Sequence, residues 1–304
     1  MKALVVGFGS IGARHAKVLT QMGCQVAVVS RHGTDEYRCY SELETPLALE
    51  TPDYVIVANK THEHYQTIVE LGNLGFSGKV LVEKPLFHEF LDMPVNRFQQ
   101  LFVGYNLRFH PLIQRLKELL VGQKVITAHA YVGQYLPEWR PKTDYKDTYS
   151  SCKAEGGGSL RDLSHELDYL NWMLGGWTKV VGIVGHFSAL AGDSEDAAGL
   201  LVTLKNCPLA MIHLNYLERS LRREIVINTE EHTYALDFVQ GHLCVDNETG
   251  ERCIIDHDYT YRAQHQAVLS HNVESLCTME QGRDVVKLIC CAEQSMRNQE
   301  WVIR

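Results

Sequence analysis

Hydrophobic positions in the first third of the chain come as short runs broken by glycine and polar turns. Residues 1–6, 24–29, 53–58 and 79–82 are four such runs. Unbroken apolar runs of roughly four to eight residues between turn signals fit strands buried on both faces. Between the first two, residues 13–22 set Ala13, Ala16, Val18 and Leu19 along a helical face, and residues 65–74 read as a helix closed by Gly75. Strands alternating with helices predict an α/β unit with a doubly wound parallel sheet. Further along, shorter β patterns follow one another at 179–185, 199–204, 209–216, 224–228, 233–238 and 241–245. They predict a C-terminal α/β domain with a large open, mainly antiparallel sheet. Residues 261–282 and 284–301 read as closing helices. With no repeat or long linker, the expected domains are 1–105 and 106–304, joined by a tight crossover near Tyr105.

Composition narrows the classes. The 304 residues, 45% hydrophobic and 22% charged, suit two globular domains. Twenty-nine basic residues against 37 acidic leave a net charge of −8, which argues against a nucleic-acid binder. No apolar run approaches the roughly 18 residues of a membrane span, and Gly7 interrupts the first run too early for a signal peptide. The nine cysteines form no C-x-x-C pair and read as reduced thiols. The expected location is cytoplasmic, with neither nucleic-acid nor membrane partners.

The first run leads directly into Gly7-Phe8-Gly9-Ser10-Ile11-Gly12. A G-x-G-x-x-G turn between a strand and a helix, inside a unit of about 30 residues, is the dinucleotide-binding pattern of the Rossmann fold. Gly7 allows the tight turn, Gly9 lets a pyrophosphate approach, and Gly12 lets helix and strand pack closely. The helix start, with Ser10 and Ile11, presents N–H groups and a positive dipole end to phosphate. At the end of the second strand, where NAD binders usually carry a carboxylate, the chain reads Ser30-Arg31-His32. A hydroxyl and a guanidinium favour a 2′-phosphate, hence NADP. Arg31 stacked on the adenine or solvated leaves NAD open. Asn59, Lys60 and His64 follow the third strand, and Glu83 and Lys84 end the fourth. All five lie at the sheet edge where ligands of such folds sit.

At Glu83-Lys84-Pro85 the chain resembles the glucose–fructose oxidoreductase and inositol dehydrogenase family (Gfo/Idh/MocA). The resemblance continues through Gly104-Tyr105-Asn106-Leu107-Arg108-Phe109-His110-Pro111, Gly156-Gly157-Gly158, the segment from Asp162 to Asp168 that contains His165, and Ser194-Glu195-Asp196-Ala197-Ala198. It implies an NAD(P)-dependent oxidoreductase acting on a hydroxyl or carbonyl carbon of a sugar-like substrate, with Lys84 as the catalytic lysine. It also implies a homodimer or homotetramer built on the C-terminal sheet. Two positions depart from the family pattern: Asn59-Lys60 stands where Thr-Pro is usual, and Asp162 precedes His165 by three positions instead of four.

Hydride chemistry at an oxygen-bearing carbon needs a proton handled in step. Lys84, at a strand end and before a proline, is placed to do so. His165 follows a triple glycine and lies between Asp162 and Asp168, either of which can orient its ring. Catalytic candidates are therefore Lys84, His165 and Asp162, with Arg108 added on the substrate side. In the stretch from Tyr131 to Pro141, Tyr135 and Trp139 can stack on a sugar face and Arg140 can hold a carboxylate or phosphate. Trp139 serves equally well as the packing anchor of a loop. This stretch, with the polar segment starting at Lys142 and the glycines after it, resembles family members of bacterial surface-sugar synthesis, including those handling nine-carbon keto acids. His62 with His64, and Asp256-His257-Asp258, form no recognisable closed metal ligand set, so no metal is expected. Two other functions remain open: a nicotinamide-binding sensor without turnover, which could dispense with Lys84 or His165, so that their retention favours an enzyme, and a lyase that uses the same residues and oxidises its substrate only transiently.

Overall fold

The computed structural model describes residues 1–140, 143–246, 248 and 250–304. The chain forms two compact units. The first comprises Met1–Asn106 with His257–Arg283, and the second Leu107–Asp256 with Asp284–Arg304.

In the first unit the elements run β1 (Lys2–Val6), α1 (Ser10–Gln21), β2 (Gln25–Val29), β3 (Arg38–Tyr40), α2 (Glu44–Glu50), β4 (Tyr54–Val57), α3 (His64–Asn73), β5 (Lys79–Val82) and β6 (Gln100–Val103). These six strands are all parallel, in the order β3-β2-β1-β4-β5-β6. That is the Rossmann order, in which ligands sit outside the carboxyl ends of the strands. Every residue of β4 and β5 is buried, as befits central strands of a parallel sheet covered on both faces. α1 buries Gly12, His15, Ala16 and Leu19, the i, i+3, i+4, i+7 stripe of a helix lying on a sheet. His15 is the polar member of that stripe.

The second unit contains α4 (Pro111–Leu119), β7 (Val125–Gly133), α5 (Ser159–Asp162), α6 (His165–Leu174), β8 (Trp177–Gly185), β9 (Ala197–Leu204), β10 (Cys207–Asn215), β11 (Arg222–Thr229), β12 (Thr233–Asp237), β13 (His242–Val245) and β14 (Glu251–Arg252). The chain then supplies α7 (Tyr259–Ser270) and β15 (Cys277–Thr278) to the first unit. It closes with α8 (Met279–Asn298), which belongs to the second unit from Asp284, and β16 (Val302–Ile303). The nine-stranded sheet runs β14-β13-β12-β11-β7-β10-β9-β8-β16. Only β7 and β10 pair in parallel; the other neighbours are antiparallel. Side chains alternate as a half-covered sheet requires. Ala198, Leu200, Val202, Ile212 and Leu214 are buried, while Ile183, Leu201, Leu209 and Met211 are exposed on the other face.

The closing helices differ from expectation. The run at 261–282 is not one helix: α7 ends at His271, which adopts a left-handed conformation (φ 60°). The chain then adds β15 antiparallel to β6 before α8 begins. A helical pattern cannot announce such a strand, because two residues carry no period.

Candidate functional site

The glycine turn between β1 and α1 is shaped by contacts that no side chain would tolerate. Gly7 has φ +93°, and a Cβ there would lie 2.5 Å from the Asn59 backbone nitrogen. A Cβ on Gly12 would lie 1.9 Å from the Gly7 carbonyl oxygen. Gly9 is different: nothing lies within 4 Å of its Cβ position. It caps α1 without a side-chain hydrogen bond, and the first turn holds no acidic residue. The first intrahelical bond runs from Ala13 N to Gly9 O (2.9 Å), so the N–H groups of Ser10, Ile11 and Gly12 precede the intrahelical ladder. An uncapped helix start beneath an open glycine fits a pyrophosphate.

Around this turn, the carboxyl ends of the strands collect most of the other candidates. Ser30 accepts a hydrogen bond from the His32 backbone N–H (3.2 Å), and the exposed Arg31 donates from Nη2 to Glu63 Oε1 (2.7 Å). Lys60 is exposed just before the turn Thr61–Glu63. Asn59 donates to Thr67 Oγ1 (2.9 Å), while its buried Oδ1 has no hydrogen-bond partner. His64 is buried. Its Nδ1 lies 3.1 Å from Leu86 O and 3.2 Å from Pro85 O, and its Nε2 lies 3.2 Å from Asn59 O. Burial pulls its pKa below the ordinary value. His64 thus braces the Asn59 and Pro85 turns against each other. Lys84 follows β5, and its peptide to Pro85 is cis. The Lys84 backbone N–H donates to Glu83 Oε2 (3.2 Å), and Glu83 Oε1 lies 2.9 Å from His15 Nε2. Burial pushes the Glu83 carboxyl up, but the His15 hydrogen bond and the Lys84 charge outweigh it and leave it below the ordinary range.

In the second unit, Asp162 ends α5 and is buried against two tyrosines. Tyr216 Oη donates to Asp162 Oδ2 (2.8 Å), and Tyr149 is hydrogen-bonded to both Asp162 and Arg140. The Arg140 guanidinium lies 5.4 Å from the Tyr149 ring centroid, and Trp139 meets Tyr216 edge-on at 5.2 Å. Trp139, Arg140 and Asp162 therefore share one cluster, linked by Tyr149 and Tyr216. The buried Trp139 Nε1 has no hydrogen-bond partner. Tyr135 stands apart under the Arg219 guanidinium, 3.6 Å from its ring centroid. Pro141 and Lys142 lie outside the described residues. Tyr149 and Tyr216 are the residues sequence reasoning missed. Tyr216 had a signal, as an aromatic at the carboxyl end of an alternating strand; Tyr149 had none.

His165 opens α6 and is half-buried. Asp168, one of its two proposed partners, is paired with Arg108, which donates from Nε to Asp168 Oδ2 (2.8 Å) and from Nη2 to Oδ1 (2.6 Å). With side chains 1% and 2% exposed, Arg108 lies inside the unit. The triple glycine also has an internal reason. A Cβ on Gly157 would lie 2.1 Å from Tyr149 O, and one on Gly158, at φ +116°, would lie 2.2 Å from Glu195 Oε1. Packing by the protein itself excludes side chains at Gly157 and Gly158. Among the described residues, no three His, Cys, Asp or Glu side chains gather as a metal site, and no helix is long and apolar enough to cross a membrane.

Comparison with known proteins agrees with this architecture. Residues 1–98 match the model of the Gfo/Idh/MocA oxidoreductase family's NAD-binding Rossmann fold, and residues 113–235 match its C-terminal domain. The putative oxidoreductase YteT of Bacillus subtilis is 26% identical over 151 residues, 47% of this chain and 35% of that protein. The 2,7-anhydro-N-acetylneuraminate hydratase of Mediterraneibacter gnavus is 26% identical over 213 residues, 63% of this chain and 55% of that protein. The chain thus spans between a third and just over half of these two relatives. Among solved structures, GenD2 from gentamicin A biosynthesis, in complex with NAD, superposes with a TM-score of 0.82 at 23% identity, covering 100% of this chain and 96% of the other. The order of the glycine turn, the Glu83-Lys84-Pro85 segment and the open sheet, together with both domain matches, leads to one conclusion: the chain belongs to the Gfo/Idh/MocA oxidoreductase family.

Proposed function

We propose that this protein is an NAD(P)-dependent oxidoreductase acting on a hydroxyl or carbonyl carbon of a sugar or sugar acid. The observation that carries this reading is the open Gly9 above the uncapped start of α1, at the strand edge that also bears Lys84. Gly7, Gly9, Ser10, Ile11 and Gly12 would hold the pyrophosphate, Ser30, Arg31 and His32 the adenosine end, and Asn59 and Lys60 the nicotinamide half. When bound, the nicotinamide accepts or supplies the hydride. Lys84 takes the hydroxyl proton as the carbon is oxidised and returns it on reduction, which keeps the oxygen's charge balanced in step. His165, Asp162, Arg140, Trp139 and Tyr135 are the substrate-facing candidates of the second unit.

The Ser30-Arg31-His32 turn supports NADP. The Arg31–Glu63 pair supports NAD, because a 2′-phosphate placed on Arg31 would also meet the Glu63 carboxylate. A second reading for the reaction has its own support: the similarity to a hydratase of a nine-carbon sugar acid fits a lyase in which hydride leaves and returns within one turnover. A role in bacterial surface-sugar synthesis rests on the sequence resemblance of the Tyr135–Arg140 stretch. Exposed Ile183, Leu201, Leu209 and Met211 on one sheet face support a homodimer or homotetramer through that sheet.

Identifying the nucleotide that copurifies, then screening sugars and sugar acids at the reduced-nicotinamide absorbance, tests the reading. Lys84→Ala should keep nucleotide binding and lose at least about a hundredfold in turnover. Product formation at constant absorbance selects the lyase. Failure to bind any nicotinamide dinucleotide rejects both, and dinucleotide binding without turnover on any sugar leaves a sensor.

A further inference from the structure

Four buried side chains of the first unit form one unbranched chain of hydrogen-bonding atoms. Tyr54 Oη lies 3.0 Å from His265 Nδ1, His265 Nε2 lies 2.9 Å from His15 Nδ1, and His15 Nε2 lies 2.9 Å from Glu83 Oε1. Tyr54, His15 and His265 are fully buried and Glu83 is 8% exposed. The elements that supply them are β4, α7, α1 and the end of β5, so the chain ties four parts of the unit to the residue before Lys84.

The direction of the bonds follows from which atoms can donate. An ionised Glu83 only accepts, so His15 Nε2 carries a proton. If His265 Nε2–H donates to His15 Nδ1, its own Nδ1 is bare and accepts from the Tyr54 hydroxyl, and every donor in the chain meets an acceptor. In the opposite arrangement His15 is doubly protonated and His265 donates from Nδ1 to the Tyr54 oxygen. That leaves the fully buried Tyr54 proton without an acceptor, which buried hydroxyl groups rarely tolerate. Burial also holds the His265 pKa well below its ordinary value. Because Tyr54 is sealed from water, the chain has no exit for a proton. It is a positioning device and not a proton relay.

We propose that the chain Tyr54→His265→His15→Glu83 fixes Glu83 as an oriented carboxylate that holds the backbone of the Lys84 turn. Glu83 Oε1 receives the chain and Oε2 receives the Lys84 backbone N–H (3.2 Å). A Cβ at Gly104 would lie 2.7 Å from Oε1, so the carboxylate fills the space that this glycine leaves free. The other titratable groups facing the chain are Tyr261, 5.3 Å from the His15 ring and covered by Arg14, together with Cys24, His64 and Lys84. His15, His265 and Tyr54 are thereby positioning residues acting through Glu83, an inference that rests on the role proposed for Lys84.

The test uses the intact protein without substrate. Long-range proton–nitrogen NMR at pH 7.5 reads the ring tautomers and needs no variant to fold. His15 and His265 are both expected as neutral Nε2–H rings; a doubly protonated His15, or His265 protonated on Nδ1, overturns the proposal. Carboxyl-carbon NMR then follows Glu83. His15→Phe should raise its titration midpoint by about one pH unit or more, and His15→Gln, whose amide reaches the Nε2 position, should restore it. An unchanged midpoint overturns the proposal. A wild-type protein that binds no dinucleotide fails the enzymatic reading and leaves the tautomers legible. Wrong tautomers in a protein that does bind it fail only the positioning chain.

Discussion

Arg108 and Asp168 meet through two parallel hydrogen bonds, 2.8 and 2.6 Å long, with both side chains almost wholly buried. The geometry is the bidentate fork that makes guanidinium–carboxylate pairs strong. Trp172 lies against the same guanidinium, 5.1 Å from its carbon. Both residues are thus occupied in joining the segment before α4 to α6.

Removing one partner of a buried pair leaves an uncompensated charge, which typically costs about 3–5 kcal/mol. Asp168→Ala should therefore lower stability by that amount in urea unfolding. Nucleotide affinity per folded molecule should not change, because the glycine turn belongs to the other unit. A stable Asp168→Ala protein that loses only turnover would instead place the pair in the reaction.

The glycines of the turn separate fold from ligand. Gly9→Val meets open space and has an ordinary φ of −79°, so the protein should fold with near-normal stability and lose dinucleotide binding by at least tenfold in calorimetry. Gly12→Ala places a methyl 1.9 Å from the Gly7 carbonyl oxygen and should lower the unfolding midpoint before any ligand is added. Undiminished affinity in folded Gly9→Val would remove the cofactor assignment.

Cofactor choice is expected to turn on the Arg31–Glu63 pair. At 75% exposure of Arg31 the pair adds little to stability, so its substitution reads out binding alone. Arg31→Ala should weaken NADP roughly tenfold or more and NAD far less, since a charge-assisted phosphate bond is lost. Glu63→Gln should strengthen NADP relative to NAD by removing a like charge. Equal effects on the two nucleotides would mean that Arg31 only stacks or is solvated.

The parts of this protein that sequence makes legible are those governed by short periods and by steric necessity. The runs at β1, β4 and β5 and the spacing of Gly7, Gly9 and Gly12 declare the Rossmann unit because each depends only on neighbours in the chain. The strands of the large sheet show through alternation, since one face is covered. What stays hidden is pairing across distance. Arg108 finds Asp168 sixty positions away, and Tyr216 finds Asp162 fifty-four away. Residues 257–283 return to the first unit without any local mark of which sheet they will join. His15 is an intermediate case: a polar residue in the buried stripe of α1 must have a partner, but the sequence does not say which.

Glu195 supplies a pH dependence whose sign runs against the usual one for carboxylates. Burial raises its pKa from 4.5 to about 7, opposed by the Arg161 charge. Arg161 is itself drawn toward Glu293 (2.7 Å), and Glu195 Oε1 accepts from the Leu160 backbone N–H (3.1 Å). Between the ordinary value and pH 7 the folded protein holds a proton that the unfolded chain has released. Stability from this group is therefore fully present below about pH 4.5, declines as pH rises, and levels off above about pH 7. Glu195→Gln retains an oxygen for the Leu160 N–H and cannot ionise. Its advantage over the wild-type chain should therefore grow by about 2 kcal/mol between pH 5 and pH 8 in urea unfolding. Taking the difference between the two proteins cancels the buried histidines His64 and His265, whose lowered pKa values favour the folded state as pH rises. An advantage that is flat with pH would show that Glu195 is ionised throughout, with Arg161 and not burial setting its charge.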